Sequence, residues 1–277
     1  MDYRKQFRVE PGSKVKLADI DPGYKGEHVD AEDAKAQLEK YRDKLREQQA
    51  LLYSERKHSL LIVLQALDAA GKDGTINHVL SAMNPQGTRV IGFKSPSAEE
   101  RDHDFLWRIH PHAPGRGNVA IFNRSYYEDV LVVRVHKLAP EEVWTQRYEL
   151  IKDFEKLLRL QNSTTIIKIF LHIDKDEQLA RFKLRLEDPA RNWKISDNDY
   201  KERGLWDQYT KAFEDVFAET STKHAPWYII PSNHKWFRNL AVSQIIAATM
   251  EDLGMAMPEP QVDLKVIRKQ YHQAAEE

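Results

Sequence analysis

One apolar run leads directly into a turn of small residues that carries a single lysine: Ser59-Leu60-Leu61-Ile62-Val63-Leu64-Gln65-Ala66-Leu67-Asp68-Ala69-Ala70-Gly71-Lys72-Asp73-Gly74-Thr75. The run predicts a buried strand, and the turn predicts a phosphate-binding loop that opens a helix. Backbone N–H groups at the start of that helix would hold phosphate oxygens, while Lys72 would reach the outer phosphates. The loop departs from the pattern GxxxxGK[ST] at Ala66 and Asp73.

The composition excludes several classes of protein. The 277 residues suffice for one large α/β domain, and no apolar run approaches the roughly 20 residues of a membrane span. No secretory signal is recognised, so we expect a cytoplasmic protein that does not bind membranes. The absence of cysteine excludes thiol catalysis and thiolate metal sites. A formal net charge of -1 argues against nucleic acid as a partner, so a polyanion would need a local basic channel.

Apolar runs alternate with helical periodicity along the chain. After the first strand, further strands are predicted over residues 88–93, 118–123, 164–173 and 226–231. Helices are predicted over residues 31–57, 74–83, 97–109, 141–161, 175–187, 199–218 and 234–253. This alternation predicts an α/β fold, a three-layer α/β/α sandwich with a parallel sheet of about five strands. We divide the chain into an N-terminal extension with an amphipathic helix (1–57), the main domain (58–255) and a polar tail (256–277).

Polar side chains follow the carboxyl ends of the predicted strands, where open α/β sheets bind ligands. In the loop, Asp68 and Asp73 bracket Lys72, so one carboxylate could bind magnesium and the other could lie near the phosphate acceptor. An ordinary strand-to-helix turn with a surface lysine is the alternative. After the third strand, Arg124 and Glu128 would share a face if a helix begins near Ser125, as a salt bridge or as a phosphate or metal site.

A third candidate segment spans residues 174–203. Asp174 and Glu177 predict a capping box, and the helix would bury three apolar residues, Leu179, Phe182 and Leu186. Pro189 would break the helix, after which a mobile lid could bind phosphate. Its basic candidates are Arg181, Arg185, Arg191 and Lys194. Alternatively, Glu177 and Arg181 form a simple surface pair.

Three histidines lie close together in the sequence, at His103, His110 and His112. A zinc site is conceivable, but the spacing matches no known zinc motif, so we expect these side chains to line or support a loop.

Three segments together resemble the signature segments of the polyphosphate kinase 2 family. They are Leu67-Asp68-Ala69-Ala70-Gly71-Lys72-Asp73-Gly74, Phe122-Asn123-Arg124-Ser125-Tyr126-Tyr127-Glu128-Asp129-Val130 and Arg185-Leu186-Glu187-Asp188-Pro189-Ala190-Arg191-Asn192-Trp193-Lys194. The resemblance covers about residues 30–255. It implies a P-loop kinase fold of the thymidylate-kinase type with a helical lid, about residues 181–203. It also implies a Mg²⁺-dependent, reversible transfer of the terminal phosphate of inorganic polyphosphate to adenine or guanine nucleotides.

The resemblance also implies roles for single residues. Asp68, Lys72, Arg124 and Glu128 would be catalytic, and Asp68, Asn123 and Glu128 would bind the metal. The phosphate-binding set would comprise Ala69, Ala70, Gly71, Lys72, Asp73, Gly74, Arg124, Arg181, Arg185, Arg191 and Lys194. Because the acid lies at Glu128 and not at Asn123, the segment looks like class III of the family, which accepts nucleoside mono- and diphosphates. We also expect a homo-oligomer.

Two other functions remain open at this point. An ATP-dependent nucleoside monophosphate kinase would share the fold and the loop, although the missing glycine and hydroxyl argue against it. A non-catalytic module that binds polyphosphate or nucleotides is the alternative outside the enzymes. Asp68 and Glu128 would then place unneeded negative charge beside bound phosphates.

Overall fold

A computed structural model describes residues 2–276. In this range the α-helices are α1 (Tyr3–Phe7), α2 (Ala31–Glu55), α3 (Lys72–His78), α4 (Ala98–Asp102), α5 (Glu128–Val135), α6 (Glu141–Asn162), α7 (Lys175–Glu187), α8 (Asp197–Gly204), α9 (Trp206–Thr220), α10 (Lys235–Glu251) and α11 (Leu264–Glu276). The strands are β1 (Ser59–Ala66), β2 (Thr88–Gly92), β3 (Val119–Asn123), β4 (Thr164–His172) and β5 (Trp227–Pro231). None of the helices within residues 2–276 combines the length and apolar character needed to cross a membrane.

The strands form one parallel sheet in the order β2-β3-β1-β4-β5, as predicted from the alternation of strands and helices. β1 lies in the centre and is buried on both faces, which explains its continuous apolar sequence. The direction of strand succession reverses beside β1. A crevice is expected at such a point, outside the carboxyl end of the strand, and the loop that begins at Ala66 lies there.

Helices cover both faces of the sheet and make the predicted three layers. On one face α1, α2 and α10 contribute to a core that includes Leu45, Leu52 and Phe237. On the other face α5, α6 and α9 contribute to a second core, in which Phe170 packs against Phe213 and other aromatic residues. The sheet is therefore held rigidly between two apolar layers, and the polar loops collect at its edge.

Several helices differ from the sequence predictions. The predicted helix 97–109 is reduced to α4, because the Asp104 side chain accepts a hydrogen bond from the Leu106 N–H and forms a local turn instead. The predicted helix 199–218 is two helices, α8 and α9, which meet just after Gly204, a poor helix former. The short α1 and the exposed α11 in the polar tail were not predicted.

Candidate active site

The loop between β1 and α3 has the strand–turn–helix form that its sequence predicts. Ala69 and Gly71 have positive φ angles of 63° and 111°, which turn the chain sharply. A side chain at Gly71 would clash, since its Cβ would lie 1.9 Å from Nη1 of Arg238. Lys72 bends back over the loop and donates a hydrogen bond to the Ala66 carbonyl at 3.1 Å.

Arg181 supports this loop by hydrogen bonds to its backbone carbonyl groups. Its Nη1 donates to the carbonyl oxygens of Ala69 and Ala70 at 2.9 and 2.8 Å, and its Nη2 donates to those of Ser232 and Asn233. Its Nε donates to Glu177 at 2.6 Å. All five N–H groups of the guanidinium are thus taken by protein acceptors. The side chain that was predicted to bind phosphate is therefore occupied in fixing the shape of the loop.

The start of α7 also differs from the prediction. Asp174 accepts a hydrogen bond from the Glu177 N–H at 2.7 Å, but Glu177 directs its carboxylate to Arg181, so only half of the capping box forms. The pair is not a surface pair, because Arg181 is buried. Phe182 is buried as predicted, whereas Leu179 and Leu186 are 46% and 54% exposed. The apolar spacing predicted burial of Leu179 and Leu186, but the lid leaves this side of α7 uncovered.

The carboxyl ends of β1 and β3 bring the first two candidate segments together. The strands pair with Leu64 opposite Asn123, so the residues that follow are neighbours. Arg124 Nη2 donates to Asp68 Oδ1 at 3.1 Å, and Asn123 Nδ2 donates to Asp73 Oδ1 at 3.0 Å. Two side-chain hydrogen bonds thus link the loop and the start of α3 to the second segment.

Helix α5 begins at Glu128, three residues later than predicted. Arg124 has a positive φ of 64°, and the Ser125 hydroxyl accepts the Tyr127 N–H at 3.2 Å, which favours a turn over a helix. The predicted same-face relation of Arg124 and Glu128 along one helix is therefore wrong. Both side chains nevertheless line the same cavity, because the turn brings them there.

Burial and neighbouring charges shift the acid–base properties of this site. Burial raises the pKa of Glu128, although the positive charges of Arg124 and Lys72 and a hydrogen bond from Gln65 oppose the rise. Burial, together with the charge of Arg124, lowers the pKa of Lys72. Both shifts have burial as their largest cause, and a ligand of opposite charge bound beside either group would reduce that cost.

A buried network holds the turn that precedes Glu128. Glu155 Oε1 accepts hydrogen bonds from the hydroxyls of Tyr126 and Tyr127, both at 2.9 Å. Lys168 donates to Glu155 Oε2 at 2.9 Å, to the Tyr127 hydroxyl at 2.9 Å and to the Thr220 carbonyl at 2.7 Å. Since Glu155 and Lys168 are almost completely buried, the network fixes the position at which α5 begins.

The predicted lid, residues 181–203, runs from α7 through a tight turn into α8. Lys194 Nζ lies 3.5 Å from Asp73 Oδ2 and so links the lid to the loop. Arg185 donates to the Lys194 carbonyl at 3.1 Å, and its Nη1 lies 3.3 Å from the Asp199 carboxylate. Arg191 pairs with Asp188 and is about half exposed. Burial alone would raise the pKa of Asp73. The hydrogen bond from Asn123 and the charge of Lys194 outweigh burial, so this pKa is lowered.

Two cavities meet at the Asp68–Arg124 contact. The basic cleft has a volume of about 980 Å³ and lies between the loop, the lid and the start of α10. In the described part of the chain its only carboxylates are Asp68 and Asp73, against nine basic side chains: Lys72, Lys94, Arg124, Arg181, Arg185, Arg191, Lys194, Lys235 and Arg238. Such an excess of positive charge would bind a ligand that carries many negative charges.

The mixed cavity has a volume of about 420 Å³ and lies on the other side of that contact, between α5, α9 and the segment after β2. Apolar and aromatic side chains such as Leu131, Trp206 and Tyr209 form part of its wall. Its basic residues are Lys94, Arg101, Arg108 and Arg124, and its carboxylates are Asp68, Glu128, Asp129 and Glu202. Balanced charge beside apolar surface suits a ligand with both an aromatic and a charged part.

The histidines do not form a metal site. His103 stacks on Trp107 with ring centroids 4.1 Å apart, while His110 and His112 pack edge-on against Phe154 and Phe93. Among residues 2–276 no group of three or more His, Asp or Glu side chains could hold a metal alone. Mg²⁺ does not need such a group, because it is usually held by one or two carboxylates with water and substrate phosphates.

Sequence reasoning missed three basic residues of the cleft, Lys94, Lys235 and Arg238. Lys94 follows β2, and Lys235 follows β5, so both lie beyond the carboxyl end of a strand. The polar run Ser232-Asn233-His234-Lys235 after the fifth strand was the signal that could have indicated them. Arg238 gave no such signal, since it lies inside α10, beyond that polar run, and only the packing of the helix turns it toward the loop.

Known proteins are similar to this chain in sequence and fold. The sequence model of the family described as polyphosphate kinase 2 matches residues 28–257. The AMP/ADP-polyphosphate phosphotransferase of Meiothermus ruber is 47% identical over 261 residues, which cover 93% of this chain and 96% of the relative. The ADP-polyphosphate phosphotransferase of Rhodopseudomonas palustris is 46% identical over 271 residues, with 92% of each chain covered.

A crystal structure of polyphosphate kinase 2 from Arthrobacter aurescens superimposes with a TM-score of 0.94. The two chains are 40% identical, and the match covers 99% of this chain and 97% of the other. The predicted P-loop kinase fold is therefore confirmed. Because the family model covers most of the sequence and the relatives match over nearly their whole length, this chain belongs to the polyphosphate kinase 2 family.

Proposed function

We propose that this chain transfers the terminal phosphate of inorganic polyphosphate to nucleoside mono- and diphosphates. The observation that carries the proposal is the meeting of two unlike cavities at Asp68 and Arg124. The basic cleft suits a donor made only of phosphate, and the mixed cavity suits an acceptor with a base and a phosphate. The names of the relatives from Meiothermus ruber and Rhodopseudomonas palustris support the same pair of substrates.

In this proposal the donor lies along the loop and the lid. The backbone N–H groups of residues 69–74 and the side chain of Lys72 would hold the phosphate to be transferred. Arg185, Arg191 and Lys194 would hold the units that follow. Phosphoryl transfer depends mainly on positioning and on stabilising the charge of the transferred group. Arg124 would serve both substrates, because it lies at the boundary of the two cavities.

The residues present fit a magnesium ion at the same boundary. Among the described residues no hydrogen-bond donor reaches Oδ2 of Asp68 or Oδ1 of Asn123. Glu128 adds a second carboxylate in the wall of the mixed cavity. Asp68, Glu128 and Asn123 would therefore hold Mg²⁺ together with substrate phosphates. The ion would neutralise part of the phosphate charge when bound.

The acceptor range is the sharpest test of the proposal. The enzyme is incubated with polyphosphate, Mg²⁺ and one of AMP, ADP, GMP or GDP, and the products are separated by chromatography. We expect AMP to yield both ADP and ATP, because the acid at Glu128, where many members have it instead at the position of Asn123, resembles class III of the family. Guanine nucleotides are expected to react as well. Strict use of diphosphates would contradict the assignment to class III.

Donor competition separates this proposal from an ATP-dependent monophosphate kinase. With AMP as acceptor, polyphosphate should support product formation in the absence of ATP as a donor. Binding of polyphosphate without turnover in the presence of Mg²⁺ would instead favour a non-catalytic module. A cytoplasmic location, a homo-oligomeric state, the absence of a nucleic-acid partner and reversibility of the transfer remain predictions.

A further inference from the structure

One wall of the mixed cavity has no role in the proposed function. It is formed where α8, at the end of the lid segment, meets α9 and the residue that follows α5. Four polar side chains line the cavity there, namely His136, Asn198, Glu202 and Tyr209. None of them is among the site residues predicted from the sequence, and we call them the polar wall.

Glu202 is the centre of the polar wall. Its Oε2 accepts a hydrogen bond from the Tyr209 hydroxyl at 2.8 Å, and His136 Nε2 lies 3.0 Å from the same oxygen. Its Oε1 has only a long contact, of 3.4 Å, from the amide of the exposed Asn198. Tyr209 and His136 thus fix the direction of the carboxylate, and one of its oxygens remains able to accept a hydrogen bond from a ligand.

The other carboxylates of the mixed cavity have different surroundings. Asp68 and Glu128 both interact with the positive charge of Arg124, and Asp129 lies 3.3 Å from an arginine of α6. Among residues 2–276, by contrast, no lysine or arginine lies within salt-bridge distance of Glu202. A phosphate would be repelled by this carboxylate. The polar wall therefore suits an uncharged part of the acceptor that donates hydrogen bonds.

Tyr209 shows that the polar wall is close to the reacting groups. Burial, the hydrogen bond to Glu202 and the charges of Glu202, Glu128 and Asp68 raise the pKa of Tyr209, so its hydroxyl stays protonated and donates to Glu202. The hydroxyl is within electrostatic range of Glu128 and Asp68, which lie at the acceptor phosphate in the proposed function. Glu202 is one hydrogen bond farther away. The part of a nucleotide that follows its phosphate is the ribose, whose hydroxyl groups are hydrogen-bond donors.

We propose that Glu202, held in place by Tyr209 and His136, binds the ribose hydroxyl groups of the acceptor nucleotide. Hydrogen bonds from hydroxyl groups to a carboxylate are short and strong, because the acceptor is charged. Trp206, one turn before Tyr209 on α9, also lines the cavity and offers an apolar surface beside the sugar. The inference rests on the proposed function, since it assigns the sugar end of the acceptor site. It implies that the enzyme distinguishes acceptors by their sugar.

The test measures kcat/KM for AMP, 2′-deoxy-AMP and 3′-deoxy-AMP with saturating long-chain polyphosphate and Mg²⁺. In the wild type we expect at least one deoxy acceptor to be about tenfold poorer than AMP, which corresponds to the loss of one hydrogen bond to a charged group. In Glu202→Ala the three acceptors should lie within about twofold of one another, because only AMP loses a contact. Glu219→Ala should keep the wild-type preference. It is the matched control, since Glu219 is an exposed glutamate of α9 that lines neither cavity.

A purely structural role of Glu202 gives a different result. Asp199, one turn earlier on α8, lies 3.3 Å from Arg185 of the donor site. If Glu202→Ala only displaced α8, all three acceptors would react more slowly by the same factor, and the KM for polyphosphate would rise. That outcome overturns the proposal. A wild type that uses AMP and both deoxy acceptors equally well also overturns it.

Glu202→Gln is a second variant, which keeps the shape of the side chain and removes its charge. It should reduce the preference for AMP in the same direction. If the alanine variant does not fold, an unchanged preference in Glu202→Gln overturns the proposal instead. Failure of the proposed function is distinguishable, since the wild type would then form no diphosphate from polyphosphate and any of the three acceptors.

Discussion

The two cavities that meet at Asp68 and Arg124 solve different binding problems. The basic cleft surrounds its ligand with lysine and arginine from the loop, the lid and α10, with Phe93 and Trp236 as aromatic lining residues. The mixed cavity balances four basic and four acidic residues, counted over the described chain, and adds Trp206 and Tyr209. A repeating anion can be recognised by charge alone, whereas a nucleotide needs a surface for its base. The difference predicts which substrate each mutation affects.

The two buried arginines behind the loop repeat this contrast on a smaller scale. Arg181 has Glu177 as a carboxylate partner and donates all five of its N–H groups to the protein. Arg238 has no carboxylate partner within the described residues and packs against Gly71 and Gly74 instead. Arg181 is therefore a structural support of the loop, and Arg238 adds uncompensated positive charge to the cleft.

The largest effect is expected on the donor side, from Lys72→Ala. The Lys72 ammonium donates to the Ala66 carbonyl and lies within electrostatic range of Arg124 and Asp68, where it would neutralise the transferred phosphate. Removing one such charged donor typically lowers kcat about 10²- to 10³-fold. Steady-state rates with ADP and long-chain polyphosphate measure the loss.

Circular dichroism and thermal unfolding should show that Lys72→Ala keeps the fold, because Lys72 makes one hydrogen bond to the loop and contributes nothing to either core. Lys183→Ala, with the same charge change on α7, should retain wild-type rates. Near-full activity of Lys72→Ala would contradict the catalytic role of the loop.

Much of this contrast was visible in the sequence, and the missing part has a physical cause. Local patterns predicted the five strands and the polar residues beyond β1 and β3, because strand alternation and loop chemistry are short-range features. The sequence could not predict that Arg181 supports the loop, since its five acceptors come from the loop, from α7 and from the end of β5. It also could not indicate Arg238, whose place behind Gly71 depends on how α10 packs.

A smaller effect is expected on the acceptor side, from Glu128→Gln. The variant keeps the shape of the side chain but removes the carboxylate that would hold the metal and orient the acceptor. We expect kcat with AMP to fall about 100-fold, the lower end of the range for loss of one positioned electrostatic group. The KM for polyphosphate should stay within twofold, because Glu128 lines only the mixed cavity.

Glu149→Gln is the control for this change, since Glu149 is exposed on α6 and lines neither cavity. Comparison with Lys72→Ala then tests whether the basic cleft binds the donor and the mixed cavity binds the acceptor. If Glu128→Gln loses affinity for polyphosphate and keeps its rate with AMP, this assignment of one substrate to each cavity is wrong.

The smallest effect concerns pH and distinguishes one carboxylate in each cavity. Burial raises the pKa of Asp129, in the wall of the mixed cavity, to about 6 from its ordinary 3.8, against the opposing charges of Arg147 and Arg108. Between these values the folded state binds a proton that the unfolded chain does not, so this group adds stability as pH falls. From pH 7 to pH 5 the free energy of unfolding of the wild type should rise by about 1 kcal/mol relative to that of Asp129→Asn.

Asp73 in the basic cleft has a lowered pKa, so its contribution to stability is lost only below its ordinary value. The stability difference between the wild type and Asp73→Asn, measured by urea unfolding, should therefore be the same at both pH values. If the Asp129→Asn difference is equally flat, the mixed cavity does not hold a desolvated carboxylate, and its contrast with the basic cleft is reduced to the number of cations.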